Sequence, residues 1–194
     1  MKTLKSLPIA SCLALCAGVS TPAFSAPLKP VAMTCAEFLT LDDVVKPKVI
    51  FWAEGFSQGG KPSDALVDIG ETDTLVPALV TECKEAPQAK LADTIVKQRA
   101  ATSKATPKAG AVAKPQPAKQ PAQLRASMSC AEFVTLDDIV QPKVVYWAEG
   151  YSKKGRPIDA VVDVVETDTL VPMLVSECKA TPKLTFWEKI KSHF

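Results

Sequence analysis

The residues that could do chemistry in this chain are six cysteines, one histidine and 21 acidic residues. The single histidine is His193, so a Ser/His/Asp or Cys/His site has no base to build on. Three carboxylate clusters remain as candidates for acid–base or calcium chemistry: Asp42 with Asp43, Asp64 with Asp68, and Glu71 with Asp73. Their spacings lack an EF-hand pattern, and the segments that carry them are too short to enclose a substrate cleft. We therefore predict a protein that is not an enzyme and holds neither a cofactor nor a metal, with these carboxylates serving as helix caps and a solvated acidic face.

Residues 33–84 and 128–179 are two copies of one 52-residue module. They align without a gap at a constant offset of 95 residues and are identical at 36 of 52 positions. Most differences are conservative, such as Phe51 for Tyr146. Two copies predict two small domains, because a solenoid needs at least three stacked units.

The first 25 residues have the pattern of a cleaved secretory signal. Lys2 and Lys5 form a basic start, residues 7–19 are apolar, and Ala23-Phe24-Ser25 offers small residues for cleavage. The apolar run is too short to span a bilayer, so we predict no stable membrane anchor. A lipoprotein signal ending at Cys12 is the weaker alternative, because almost no apolar region precedes that cysteine.

Cleavage of the signal would leave four cysteines, one pair in each module: Cys35 with Cys83, and Cys130 with Cys178. Each copy should fold as its own unit, so the repeat predicts disulfides within modules. Each bridge would stabilise its module by roughly 4 kcal/mol in the chain-entropy model, which a domain of this size needs. A metal site is disfavoured because close CxxC spacing and a nearby histidine are both missing.

The pattern within each module is helical. Thr34 with Glu37, and Ser129 with Glu132, read as capping boxes that start a short helix at the first cysteine. Asp42 and Asp43 could start a second helix that ends near residue 57, although a strand over residues 44–51 is the competing prediction. We expect a turn with a short helical segment over residues 62–68. A last helix, capped by residues 72–74, should carry Cys83.

Residues 85–127 differ in composition. They contain twelve alanines and five prolines, with eight basic residues against two acidic ones, which is typical of a flexible linker. Leu91 and Ile95 could form a short helix at residues 88–99, since Phe186 and Ile190 hold the equivalent places after module two. The overall prediction is an all-α protein: signal 1–25, module one 33–84, linker 85–127, and module two with a C-terminal amphipathic helix, 128–194.

Charge is unevenly distributed. Module one has nine acidic and four basic residues, and module two has nine and five, whereas the linker is basic. Without Lys2 and Lys5 the chain has 21 charges of each sign, so it would approach about +21 in strong acid. A basic linker could suggest a nucleic-acid arm, but export and the lack of interleaved aromatics argue against nucleic acid as a partner.

Four strings in order carry a family resemblance: TCAEFLTLDD, PKVIFWAEGF, the segment KP.DA..D, and T..PALV..C. They resemble the HdeA-type acid-stress chaperones of the bacterial periplasm, and the second module repeats them. The resemblance implies small helical proteins with one internal disulfide that dimerise at neutral pH. In strong acid such proteins dissociate and hold unfolding periplasmic clients on the apolar surface that is released.

The resemblance also implies roles for residues of this chain. The interface and client-binding surface would fall on aromatic residues of the second helix of each module: Phe51, Trp52, Phe56, Tyr146, Trp147 and Tyr151. The pH-sensing positions would fall on acidic residues: Glu37, Asp42, Asp43, Asp68, Glu132, Asp137, Asp138 and Asp163. Because the family usually has one module, the tandem could be a covalent pseudo-dimer, or each module could seek a partner in another chain.

A second class of function stays open from the sequence. The same disulfide-stabilised modules could be secreted interaction modules that bind one defined partner without any acid switch. Without the resemblance, ordinary core packing is the favoured explanation of Trp52 and Trp147, and the resemblance reverses that preference.

Overall fold

The structure, a computed structural model, describes residues 26–58, 61, 65–105, 123–156 and 160–194, apart from the side chains of residues 103–105. The predicted signal, residues 1–25, lies outside the described residues, as does Asp64. Helices dominate the described residues, and the predicted all-α class is confirmed. The elements follow the repeat: α1 to α3 belong to module one, α5 to α7 to module two, and α4 and α8 follow them.

The first helix of each module begins at its first cysteine, as predicted. Helix α1 spans Cys35–Thr40 and α5 spans Cys130–Val134. In both, the predicted capping box is present. The hydroxyl of Thr34 or Ser129 accepts from the backbone amide of Glu37 or Glu132. The carboxylate of that glutamate accepts in turn from the backbone amide of the threonine or serine. The box satisfies amides that the first turn of a helix otherwise leaves without partners.

The second helix of each module is longer and almost entirely buried in its middle. Helix α2 spans Lys46–Ser57 and α6 spans Gln141–Ser152, so helix rather than strand is correct here. The predicted start at Asp42 and Asp43 is wrong. A turn precedes the helix, in which the Asp42 carbonyl accepts from the amides of Val45 and Lys46. A proline in the first turn of α2 then fits, because a backbone amide at that position would donate no hydrogen bond within the helix.

The prediction for residues 62–68 is wrong where the structure describes them. Leu66–Asp68 form strand β1, and α3 follows at once over Ile69–Glu85. The N-cap of α3 is Asp68, whose carboxylate accepts from the amide of Glu71 at 2.8 Å, so the helix starts before residues 72–74. Its counterpart α7, Val164–Ala180, is capped by Asp163 in the same way.

A helix follows each module and packs on it. Helix α4 spans Leu91–Ala105, longer than the segment 88–99 that the sequence suggested, and buries Leu91 and Ile95. Helix α8 is shorter, Phe186–Ile190, and buries Phe186 and Ile190. Both sets of side chains complete the core of the module before them.

Two disulfides lie within the modules, and the predicted pairing is confirmed. Cys35 bonds Cys83, and Cys130 bonds Cys178, each with a sequence separation of 48. Each bridge joins the start of the module's first helix to the last turns of its third helix, and all four cysteines are fully buried. The bridges therefore fix the two ends of each module together.

Short extended segments cross between the modules. Strand β2, Gln123–Arg125, precedes module two and pairs antiparallel with β1 of module one, with Val67 opposite Leu124. In the other direction Leu28, before module one, exchanges two backbone hydrogen bonds of 2.8 and 2.9 Å with Val162 of module two. Each module thus receives backbone pairing from the segment that precedes the other copy.

Candidate functional site at the crossing of the second helices

Helices α2 and α6 cross in direct backbone contact at two glycines. A Cβ placed on Gly55 would lie 1.9 Å from the carbonyl oxygen of Trp147, and one on Gly150 would lie 1.9 Å from that of Trp52. Only glycine permits this approach, because any side chain would overlap the facing backbone. The two helices therefore meet at a pair of equivalent positions, offset by 95 residues.

The same crossing buries the aromatic residues that flank the glycines. The side chains of Phe51, Trp52, Tyr146 and Trp147 are 0% exposed. Phe51 and Trp52 lie in one hydrophobic cluster with residues of module two, whereas Val49 and Ile50 of the same helix lie in the core of module one. Helix α2 thus has one face for its own module and one for the other copy.

The other two predicted aromatic residues lie at the ends of this surface. Phe56 is partly buried and stacks on Trp52, with ring centroids 5.4 Å apart. Tyr151 is buried and stacks on Trp147 at 5.6 Å, and it meets the Trp187 ring edge-on at 5.4 Å. All six predicted aromatic residues are therefore brought to one region around the crossing.

Two equivalent ion pairs join the modules beside the aromatic residues. Lys48 Nζ lies 2.5 Å from Asp168 Oδ2, and Lys143 Nζ lies 2.6 Å from Asp73 Oδ2. Each lysine also lies over an aromatic ring of the other module, Lys48 over Tyr146 at 5.6 Å and Lys143 over Phe51 at 5.7 Å. Charge and cation–π attraction therefore hold the edges of the crossing closed.

The two lysine–aspartate pairs differ in one hydrogen bond. The Tyr146 hydroxyl lies 2.9 Å from Asp168 Oδ1, a contact that Phe51 cannot offer at the equivalent place beside Asp73. Burial, followed by the charge of Asp168, raises the pKa of Tyr146.

A buried glutamate precedes each crossing glycine. Glu54 is 1% exposed and Glu149 is 4% exposed. Burial raises the pKa of each to about 7, since desolvation penalises the ionised form. For Glu54 the Arg99 guanidinium opposes this shift, and for Glu149 the Thr167 hydroxyl, Lys153 and the Trp52 side chain do.

One hydroxyl of module two contacts Glu149 directly. The Thr167 hydroxyl lies 2.8 Å from Glu149 Oε2 and also 2.8 Å from the carbonyl oxygen of Asp163. Donation from this hydroxyl favours the ionised carboxylate, so the contact opposes the rise in pKa that burial causes.

The eight acidic residues predicted as pH sensors lie elsewhere. Glu37 and Glu132 belong to exposed capping boxes, where the hydrogen bonds from Thr34 and Ser129 lower their pKa values. Asp68 and Asp163 cap α3 and α7. The remaining four are exposed residues in the turns before α2 and α6: Asp42, Asp43, Asp137 and Asp138. Among them, hydrogen bonding to Lys46 lowers the pKa of Asp43.

The carboxylates that do lie at or beside the crossing are Asp73, Asp168, Glu54 and Glu149, none of which sequence reasoning selected as a pH sensor. One signal was available: the string WAEG places a glutamate and a glycine inside an otherwise apolar helix in both copies. A charged residue on such a helix, followed by a residue that weakens it, indicates a close and specific contact.

Searches for other kinds of site were negative within the described residues. No group of three or more metal-ligating side chains comes together there, and no helix there is long and apolar enough to cross a membrane.

Comparison with known proteins identifies relatives of both copies. The family model described as HdeA/HdeB family matches residues 8–93 and 100–188. A protein named "Probable acid stress chaperone HdeA" from Brucella ovis is 37% identical over 67 residues, 34% of this chain and 59% of the relative. "Acid stress chaperone HdeA" from Escherichia coli is 35% identical over 68 residues, 35% of this chain and 62% of the relative. No solved structure matches the chain. Since the family model spans most of the sequence in two tandem segments, the chain belongs to the HdeA/HdeB family.

Proposed function

We propose that this chain is a periplasmic, acid-activated holdase chaperone that works without ATP. At neutral pH the two modules form a covalent pseudo-dimer closed at the α2–α6 crossing. In strong acid the crossing opens and presents the aromatic surface to unfolding periplasmic proteins. The names of the relatives support the chaperone class, and the proposal adds the mechanism in this tandem chain.

The observation that carries the proposal is the combination of buried aromatics and acid-labile pairs at one place. Phe51, Trp52, Tyr146 and Trp147 are fully buried in one hydrophobic cluster that contains residues of both copies. Large aromatic side chains of this kind dominate the energy of protein contacts when they are exposed to a partner. A surface that is covered at neutral pH and apolar when uncovered is what a conditional holdase requires.

The first step of opening is loss of the ion pairs. Carboxyl groups are neutral in strong acid whereas lysine stays charged, so the attraction across the two lysine–aspartate pairs is lost. The chain without residues 1–25 also moves toward about +21, so like charges repel.

The second step is weakening of the helix ends. The pKa values of Glu37 and Glu132 are lowered in the folded state by their capping boxes. The stability that they contribute is present above the ordinary glutamate pKa of 4.5 and is lost as the pH falls through the lower folded values. Meanwhile the two disulfides limit unravelling, so each module should loosen without becoming a random coil.

The test is suppression of client aggregation by the chain after removal of residues 1–25. An unrelated client that unfolds in acid should stay soluble with the protein at pH 2 to 3, without nucleotide, whereas a client unfolded by other means at pH 7 should aggregate as it does alone. Equal protection at both pH values, or protection at neither, would contradict the proposal. It would favour the alternative of a secreted module that binds one fixed partner.

A further inference from the structure

The equivalent buried carboxylates of the two modules, Glu54 and Glu149, have different surroundings. In module one, Glu54 forms an ion pair with Arg99, which projects from α4. In module two, the equivalent Glu149 lies on the wall of a cavity of about 270 Å³. The residue 95 positions after Arg99 is Phe194, which also lines that cavity. The copy that lacks the arginine therefore has a cavity beside the carboxylate.

The polar groups on the cavity wall are arranged around Glu149. The residues that matter are Glu149, Glu166, Thr167, Lys153, His193 and Phe194. Glu166 corresponds to Glu71, whose charge raises the pKa of Glu54 in module one. Thr167 bonds one oxygen of Glu149, as described above, and fixes the carboxyl group in place.

The two basic residues on the wall, His193 and Lys153, do not take the place of Arg99. The His193 ring is engaged with Glu177, at 3.3 Å from Nε2 to Oε2. Lys153, where module one has Gln58, lowers the pKa of Glu149 through its charge, yet that pKa is still raised to about 7. Within the described residues no basic side chain forms an ion pair with Glu149, whereas Arg99 forms one with Glu54.

We propose that the cavity beside Glu149 is a binding site for a guanidinium group supplied from outside the chain. Within the same molecule, Arg99 shows which group the equivalent carboxylate accepts. Guanidinium is suited to the role because it forms short charge-assisted hydrogen bonds with carboxylates and sheds water more readily than an ammonium group. The volume is below the range of about 300 to 1,000 Å³ typical of drug-sized ligands, and it suits a single side chain.

Two sources could supply that group, a small molecule such as agmatine or an arginine side chain of a polypeptide. The experiment is a titration of the full chain at pH 8, where Glu149 is largely ionised, followed by the amide NMR signals of Thr167 and its neighbours. The probes are agmatine, the blocked peptide acetyl-Gly-Arg-Gly-amide, and the same peptide with uncharged citrulline in place of arginine. Saturable shifts with either guanidinium probe support the site, and their relative affinities assign the source.

Variants keep the test specific to this carboxyl group. Glu149→Gln should weaken binding by about tenfold or more, because a charge-assisted bond is lost. Phe194→Arg should weaken it as much, since the chain then supplies its own guanidinium. Glu54→Gln, whose site is already filled by Arg99, should bind as the unmodified chain does.

Three results would overturn the proposal. They are equal binding of the citrulline peptide, undiminished binding by Glu149→Gln, and absence of shifts at Thr167 with both guanidinium probes. Loss of binding in Glu54→Gln with retention in Glu149→Gln would place the site at the other carboxylate and would overturn it too.

Discussion

At the scale of single residues, the carboxylates of this chain respond to pH in two opposite directions. The capping residues Glu37 and Glu132 have lowered pKa values, so their contribution to stability is lost in acid. The buried residues Glu54 and Glu149 have pKa values raised to about 7, so the folded state takes up their protons first. Their ionisation opposes folding above pH 7, and this penalty disappears as the pH falls to the unfolded value of 4.5.

The closed state should therefore be most stable in mild acid rather than at neutrality. As the pH falls from 8 toward 4.5 the buried glutamates gain protons and stability rises, whereas at lower pH the capping glutamates lose their contribution. Protonation of Glu54 and Glu149 thus delays opening until the pH is strongly acidic. The aromatic surface therefore stays covered under ordinary conditions.

Replacing Glu149 by glutamine tests this residue-level account. A shift from 4.5 to about 7 corresponds to about 3 kcal/mol, so Glu149→Gln should stabilise the chain by up to roughly that amount at pH 8 and by little at pH 5. Urea unfolding at the two pH values measures the difference. Asp138→Asn, which removes an exposed carboxylate in the turn before α6, is the control, and destabilisation of Glu149→Gln at pH 8 would contradict the account.

The ion pairs give a second prediction at this scale. Asp73→Asn with Asp168→Asn mimics protonation, so the double variant should open at a higher pH than the unmodified chain. The loss should be modest, about 1 kcal/mol for each pair, because both carboxylates are more than one third exposed. Binding of an apolar dye across a pH series would show the shift. The control is Asp43→Asn, whose carboxylate is 96% exposed and pairs with Lys46 of its own module. An equal shift there would argue against a special role for the crossing.

At the scale of elements, the glycine crossing is the feature on which the closed state depends. Helix α2 places Val49 and Ile50 in the core of module one, whereas a methyl group on Gly55 would meet the backbone of α6 and force the two helices apart.

Gly55→Ala is therefore predicted to open the crossing at pH 7 while both disulfides and most helix content persist. Dye binding should rise toward its acid value, and the far-UV circular dichroism should change little. Gly70→Ala is the matched control, because a methyl group there meets only the Asp68 carboxylate at 3.7 Å. A crossing that stayed closed in Gly55→Ala would mean that the backbone contact is not what brings the modules together.

Several elements were predictable because their signals are local. The capping boxes lie within four residues, the helix after each module shows apolar spacing, and the disulfides follow from the repeat itself. Strand β1 was not predictable, because its partner strand Gln123–Arg125 lies more than 50 residues away along the chain and offers no local signal. The start of α3 was misplaced for a related reason: Asp68 both ends that strand and caps the helix.

Some residues of the candidate site were predictable from the sequence and others were not. The aromatic residues could be named from the sequence through the family resemblance, which assigns the interface to the second helix of each module. The carboxylates at the crossing could not be named in this way, because Asp73 and Asp168 are surface residues of their own helices. They become interface residues only through a lysine of the other copy.

At the scale of the whole molecule, one chain holds both halves of what the family resemblance implies as a dimer. The crossing, the two lysine–aspartate pairs and the exchanged segments at Leu28 and β2 all join module one to module two. Tethering of this kind replaces association between molecules by association within one chain.

Opening of the closed state should consequently be independent of protein concentration. The pH midpoint of dye binding should stay constant when the protein is diluted over about a hundredfold range, since no second molecule takes part. Sedimentation at pH 7 should show a single chain. A midpoint that moved to higher pH on dilution would indicate pairing between chains instead.

The most direct test of the central claim is the activity of a chain that is opened without acid. Gly55→Ala combined with Gly150→Ala should protect a denatured client from aggregation at pH 7 nearly as well as the unmodified chain does at pH 2.5, because the same aromatic surface is uncovered. The unmodified chain and Gly70→Ala should remain inactive at pH 7. A double variant that binds dye at pH 7 but leaves the client to aggregate would contradict the claim that the surface covered at the α2–α6 crossing is the one that holds clients.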